Sequence, residues 1–301
     1  MQERLNLYDQ IEGNKLKSVL LVVLFVIIIL ALGWLFGQLT GFGTGGLIIA
    51  VFLAAFLPIL SWYYSDKIVL SLSNARPAEK KEFPLLYNTV EGLCIAAGIP
   101  MPQIYVIDDK ALNAFATGRD PQNAAVAVTT GLLEKANRQE LEGVIAHELS
   151  HVKNYDVKYM TMVAVLVGVV TMLSDWILRS TFWGGRDRGG GRGGRAGMYL
   201  LLIGIALAIL SPLIAQLIRL SVSRKREYLA DADGALLSRN PGALASALRK
   251  IGGDEKPLAA ANHATAHLFF SNPFRDKDWL GNLFSTHPPI EERIRRLEAM
   301  A

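Results

Sequence analysis

The sequence predicts a predominantly helical α+β domain that is interrupted by, and anchored through, transmembrane helices. The first observation is compositional: the 301 residues are 51% hydrophobic and 19% charged, below the roughly 25% charged content of soluble domains. Disorder and collagen are excluded by that apolar content. The second is where the apolar residues fall. Ser18–Phe36 and Leu47–Tyr64 carry no charge, Tyr159–Leu178 carries only Asp175, and Met198–Leu220 carries only Arg219. Each approaches the roughly 20 apolar residues needed to cross a bilayer as a helix. Outside them the charged fraction rises to about 25%, an ordinary soluble value. The third observation is that the remaining sequence alternates helix-period and strand-period stretches, enough for one sizeable core.

The expected organisation is an N-terminal anchor of two transmembrane helices (1–64), a first part of a soluble domain (65–158), a membrane hairpin (159–220) and a second part of the domain (221–301). The first apolar segment is long, starts after a polar stretch and lacks a small-residue cleavage pattern, so it reads as a retained anchor. Arg4, Lys15 and Lys17 precede it while Gln38–Gly46 is uncharged, which places the N-terminus in the cytoplasm. Lys67, Arg76, Lys80 and Lys81 follow the second segment, and Arg224, Lys225 and Arg226 follow the fourth. Both halves of the domain are therefore expected on the cytoplasmic side of an inner, cytoplasmic membrane. The Gly-rich hairpin tip resists this rule, since it holds Arg186, Arg188, Arg192 and Arg195. Two readings stay open: early helices set the topology and the tip is carried across, or the hairpin dips in without spanning. The net charge of +4 and the lack of aromatic interleaving beyond Trp183 argue against nucleic acid as a partner. Cys94 is the only cysteine, so no intrachain disulfide can form.

Within the soluble halves, Leu85, Leu86, Val90, Leu93 and Cys94 share one face of a helix over Pro84–Ala97, stopped by Gly98 and Pro100. Gln103–Ile107, Asn113–Thr117 and Ala124–Thr129 read as strands, the last two joined by a loop of Gly118, Asp120, Pro121 and Asn123. Arg138–Lys158 reads as one helix running into the third apolar segment. Ile290–Met300 reads as an amphipathic helix, with Ile290, Ile294 and Leu297 apolar among Glu291, Glu292, Arg293, Arg295 and Arg296.

The chemistry concentrates at His147-Glu148-Leu149-Ser150-His151. Residues four apart lie one turn apart on the same helix face, so both imidazoles can converge on one zinc ion. Glu148 sits on a neighbouring part of that face, where it can serve as general base. A catalytic zinc needs a third protein ligand. Asn154 and Val157 occupy the positions at which a third-histidine pattern needs Gly and His, so a carboxylate from a later helix is required. Glu227 and Asp231 are one turn apart and offer it: if Glu227 binds the metal, Asp231 can accept a hydrogen bond from a ligand imidazole. The same pair also fits a solvated helix face partnered by Arg224 and Lys225. His263 and His267 share the i,i+4 spacing but lack an acid between them or a third ligand nearby, and read as a packed helix face.

These motifs, with Asn6-Leu7-Tyr8-Asp9-Gln10-Ile11, Asn113–Gly118 and Thr286-His287-Pro288-Pro289, resemble the HtpX-type membrane zinc metallopeptidases, relatives of the CAAX prenyl proteases. The resemblance covers nearly the whole chain. It implies a zincin-like catalytic domain, one zinc ion held by His147, His151 and Glu227, Glu148 as general base, and an endopeptidase that degrades misfolded or damaged membrane proteins under stress. A second donor for the oxyanion is needed besides zinc, and His287, held by two prolines, is the candidate, with Tyr228 a weaker one. Asn113, Ala114, Phe115 and Ala116 can belong to an exposed edge strand that binds substrate backbone by strand addition, or to an internal hairpin strand. The expected partners are polypeptide substrates and the lipid bilayer.

Two other classes compete. An intramembrane protease would bury its motif in lipid, yet Lys135, Arg138, Glu140, Glu142, Lys153 and Asp156 surround it. A non-catalytic scaffold or chaperone-like subunit would hold a structural or vestigial metal, but structural zinc sites are usually cysteine-rich and this chain has one cysteine.

Overall fold

The computed structural model describes residues 20, 22–23, 25–31, 33–34, 37, 43–165, 224–254, 256–261, 265–273 and 287–301. The fourth apolar segment, the Gly/Arg tip and His263 lie outside the described residues, as do parts of the first and third segments.

Apolar residues without a polar face make helix α1 (Thr44–Leu72). Its first half exposes Ile48, Ile49, Val51, Phe52, Phe56 and Ile59. The helix bends by 83° between Leu60 and Tyr63, with Pro58 inside the first arm. Among the described residues no single helix is long and apolar enough to cross a membrane, although the two arms of α1 together meet that test. Of the four apolar segments read in the sequence, the second falls on this bent helix, while the fourth and most of the third lie outside the described residues. The described residues between 20 and 37 are also helical, and Gly33 packs so tightly that a Cβ there would lie 2.1 Å from Ala50 Cβ.

After β1 (Ala75–Pro77) comes α2 (Pro84–Ala97), opened by Pro84 and closed by Gly98 in the left-handed region. Leu86, Val90, Leu93 and Cys94 are buried as expected, whereas Leu85 faces solvent. Strands β2 (Gln103–Ile107), β3 (Ala114–Gly118) and β4 (Ala124–Thr129) complete a four-stranded sheet of order β1-β2-β4-β3. β2 and β4 are parallel, and β3–β4 is the expected hairpin. Its turn requires Gly118 at φ 139°, where a Cβ would meet Asn123 O at 2.3 Å.

Period-two alternation splits the sheet residues between two cores. Val126 and Val128 face the larger one with Leu141, Val144 and Leu149, while Ala125, Ala127 and Phe115 face a second with Val69, Met160 and Phe269. After the short α3 (Thr130–Lys135), helix α4 (Arg138–Lys153) runs through the larger core and is buried almost continuously from Glu140 to Val152. Its start is set by a reciprocal cap: Glu140 N–H donates to Asn137 Oδ1 and Asn137 N–H to Glu140 Oε2. Helices α5 (Arg224–Ser238), α6 (Pro241–Gly252) and α7 (Ile290–Glu298) surround it.

The continuous helix expected over Arg138–Lys158 is broken. Asn154 ends α4, Tyr155 turns through φ 58°, and a second helical stretch covers 156–165. Asn154 Nδ2 donates to Asp233 Oδ2 at 2.9 Å, so a tertiary contact holds the residue at which the helix stops.

Candidate metal centre

The two histidines stand one turn apart on α4, and Glu227 approaches them from α5. That approach depends on Gly234, where a Cβ would lie 2.9 Å from the His147 backbone nitrogen. His147 Nε2 and His151 Nε2 are 3.2 Å apart, and Glu227 Oε1 is 3.4 Å from His151 Nε2. One ligand atom from each of the three residues lies within 4.8 Å of the others, and all three side chains are buried. Among the described residues this is the one such cluster.

The hydrogen bonds behind the imidazoles show which nitrogens are available. His147 Nδ1 is 3.0 Å from Asp231 Oδ1 and His151 Nδ1 is 3.1 Å from Asp156 Oδ2. Donation from each Nδ1–H to a carboxylate leaves both Nε2 atoms as lone pairs facing one another. Two lone pairs 3.2 Å apart repel unless a cation or proton lies between them. Tetrahedral bonds of about 2 Å would set ligand atoms about 3.3 Å apart, close to the 3.2 and 3.4 Å found here. Glu227 Oε2 accepts no hydrogen bond among the described residues, with His287 Nε2 at 3.7 Å and Arg293 Nη1 at 3.8 Å. A buried carboxylate oxygen without a donor, beside two converging imidazole nitrogens, fits a divalent cation.

Electrostatics separates the carboxyls into two kinds. Burial would push Glu227 up, but His287, His151 and Arg293 hold it well below the ordinary range. Asp231, likewise buried, is drawn down to about 2 by Arg293 and His147. Glu148 has no arginine bonded to it, and burial pushes it up to about 7. The Ala116 N–H of β3 bonds to its carboxylate. In His151, burial opposes the charge but Asp156 and Glu227 outweigh it, up to about 10, so a proton on His151 Nε2 sits between the two imidazoles wherever a cation does not, and a bound cation would displace it. Burial takes His287 down to about 4, so its imidazole is neutral at pH 7.

The sequence-predicted residues therefore meet at one place: His147, Glu148, His151, Glu227, Asp231 and His287. The substrate strand meets each of its two readings, exposed edge and internal hairpin strand, in part. β3 is an edge by strand order, but all five of its residues are buried. Phe270 N–H donates to Ala114 O at 2.8 Å, Phe269 bridges to Phe115, and Gly118 N–H donates to Thr161 Oγ1 at 3.2 Å. Asn113 lies before the strand, where its side chain holds Ser271. The segment around Phe269 closes that edge at Ala114 and Phe115, Thr161 closes it at Gly118, and nothing local in β3 foretells it. Of the four residues, Ala116 is the one whose backbone reaches Glu148. Tyr228 is covered by Arg296, 3.7 Å above its ring, a packing role. His267 is buried in a 3-10 turn, with Nε2 3.0 Å from Met160 O, apart from the cluster.

Sequence reasoning missed Arg293 and the contact of Asp156. Arg293 is fully buried and donates to both oxygens of Asp231 at 2.7 and 2.8 Å, and to Phe270 O at 3.1 Å. A signal existed: Arg293 is three residues after Ile290 and four before Leu297, inside the apolar stripe of α7.

A two-histidine, one-glutamate cluster on helices packed against a small mixed sheet, with a carboxyl of raised pKa beside it, defines a metal-dependent peptidase. Residues 80–301 match the model of peptidase family M48, and the chain belongs to that family. It is 47% identical to the "Protease HtpX homolog" of Caldanaerobacter subterraneus subsp. tengcongensis, over 98% of each chain. It is 44% identical to that of Tropheryma whipplei strain Twist, again over 98% of each, and 41% identical to that of Listeria monocytogenes serotype 4a, over 98% of this chain and all of the relative. The crystal structure of S. mikatae Ste24p shares the fold, at TM-score 0.50 and 20% identity, over 97% of this chain and 67% of that one.

Proposed function

We propose that this metallopeptidase is a membrane-anchored zinc endopeptidase that cleaves misfolded or damaged membrane proteins at the cytoplasmic face. The observation that carries the reading is the pair of Nε2 atoms 3.2 Å apart with Glu227 beside them. One zinc ion is held by His147, His151 and Glu227. When bound, zinc supplies Lewis-acid polarisation of the scissile carbonyl and makes water more acidic. Glu148 takes the proton from the attacking water and passes it to the leaving amine, a task suited to a carboxyl whose pKa is near 7. His287, neutral and beside Glu227, donates a hydrogen bond to the developing oxyanion. The Ala116 peptide group, next to Glu148, is where the substrate backbone meets the sheet.

Membrane anchoring is supported by the exposed apolar side chains of α1, from Ile48 to Ile59, a patch that water disfavours. The charge pattern around the apolar segments supports the cytoplasmic site. The test is peptidase activity of the full chain in detergent, with zinc and with chelator, for wild type and Glu148→Gln. Glu148→Gln should keep zinc and lose at least a hundredfold in activity; full activity in that variant would refute the mechanism.

A further inference from the structure

The two ligand imidazoles are backed in the same way. Behind His147 stand Asp231 and Arg293, and behind His151 stand Asp156 and Arg226. In each case a buried carboxylate faces Nδ1, and a buried guanidinium faces the carboxylate: Asp156 Oδ1 is 3.7 Å from Arg226 Nη1, and both residues are at most 7% exposed. We propose that Asp156 and Arg226 are positioning residues for His151, joining the orientation of that ligand to the placement of the helix that carries Glu227.

Three observations support the assignment. Asp156 does not reach His151 by helical spacing, since α4 ends at Lys153. It is returned to the ring by Tyr155 at φ 58°, a conformation costly for a residue with a Cβ and typically kept where function needs it. Asn154, bonded to Asp233 on α5, holds the start of that turn. Arg226 directly precedes Glu227 on α5, and its guanidinium also lies 5.7 Å from the Tyr159 ring centroid, on the helical stretch that follows Asp156. A buried ion pair is a poor source of net stability, because desolvation cancels much of the Coulomb attraction. Its position suits it to orientation: the Asp156–Arg226 pair spans from the residues that follow ligand His151 to the residue that precedes ligand Glu227. The two halves differ in geometry: Arg293 donates to Asp231 through two bonds under 3 Å, while Arg226 Nη1 stands 3.7 Å from Asp156 Oδ1.

The proposal rests on the zinc reading above, and its test separates the two. Full-length protein in detergent is titrated with Zn²⁺ against a chromophoric chelator, and with Co²⁺ while the visible ligand-field bands are recorded. Asp156→Ala should weaken Zn²⁺ binding about 10- to 100-fold and shift the Co²⁺ bands. Arg226→Ala should act in the same direction but less, and its effect should vanish in the Asp156→Ala background, because it acts through that carboxylate. If Asp156→Ala does not fold, Asp156→Asn keeps the shape and the Nδ1 acceptor while removing the charge, and a several-fold loss of affinity is expected. Wild type that takes up neither ion would refute the zinc reading itself. Loaded wild type with unchanged affinity and bands in the folded Asp156 variants would overturn the positioning role alone, and independent effects of the two substitutions would remove Arg226 from it.

Discussion

Arg293 meets the metal centre from 146 residues away in sequence, through Asp231 to His147. Truncating it would leave Asp231 and Glu227 buried with less compensating charge. Arg293→Ala is expected to destabilise the fold by about 3–5 kcal/mol, read by thermal unfolding. Arg293→Lys should recover only part of this, since a single ammonium cannot reproduce two parallel bonds. The local part of the site was legible at this scale. His147, Glu148 and His151 are placed by helical periodicity alone, and Glu227 and Asp231 by the same rule on another helix. Asp156 was read only as a nearby charge, because the Tyr155 turn that aims it is not encoded in any period. Arg293 was read as one of several surface charges, although its place in the apolar stripe of α7 marked it.

At the scale of elements, the site depends on how closely α5 approaches α4. Gly234 is the contact, with room for hydrogen only between it and the His147 backbone. Gly234→Ala should push the helices apart by a few tenths of an ångström, and with them Glu227 from the imidazoles. The expected result is weaker Zn²⁺ binding with helix content unchanged, measured by chelator competition and circular dichroism. The start of α4 supplies a pH-dependent test. Burial raises the Glu140 carboxyl, but Lys250, Ser246 and the Asn137 N–H outweigh it and hold it below its usual range. A lowered folded-state pKa means that this stabilisation is complete above the unfolded value of roughly 4.3 and is lost as pH falls through the folded value. Glu140→Gln should therefore cost about 1 kcal/mol at neutral pH, and the gap from wild type should close in acid. Thermal melts of both proteins from pH 7 to 3 check it.

At the scale of the whole molecule, the exposed apolar side chains of α1 set the peptidase core beside a surface that water disfavours. Chain fractionation is expected to leave it with membranes after alkaline carbonate, released only by detergent; recovery in the soluble fraction would refute the anchor. Composition is what points to an anchor, since an ordinary charged fraction reappears once the four apolar segments are set aside. The bend in α1 was not legible, because the uncharged run Leu47–Tyr64 continues through the residues at which it falls. Likewise, β3 was expected to be open or internal, and the fold makes it an edge closed in part by Phe269 and Phe270.

The sequence by itself determined the histidine pair, the glutamate between them, the carboxylate helix, the β3–β4 hairpin and the apolar segments. Each is written in a repeat of two, of 3.6, or of some twenty residues, and such repeats need no knowledge of distant parts. Only the tertiary structure decided which charges stand behind the ligands, where α4 stops and what covers the sheet edge. Those outcomes depend on contacts between residues tens to more than a hundred positions apart, whose partners are chosen by burial of the whole core and leave no local period to read.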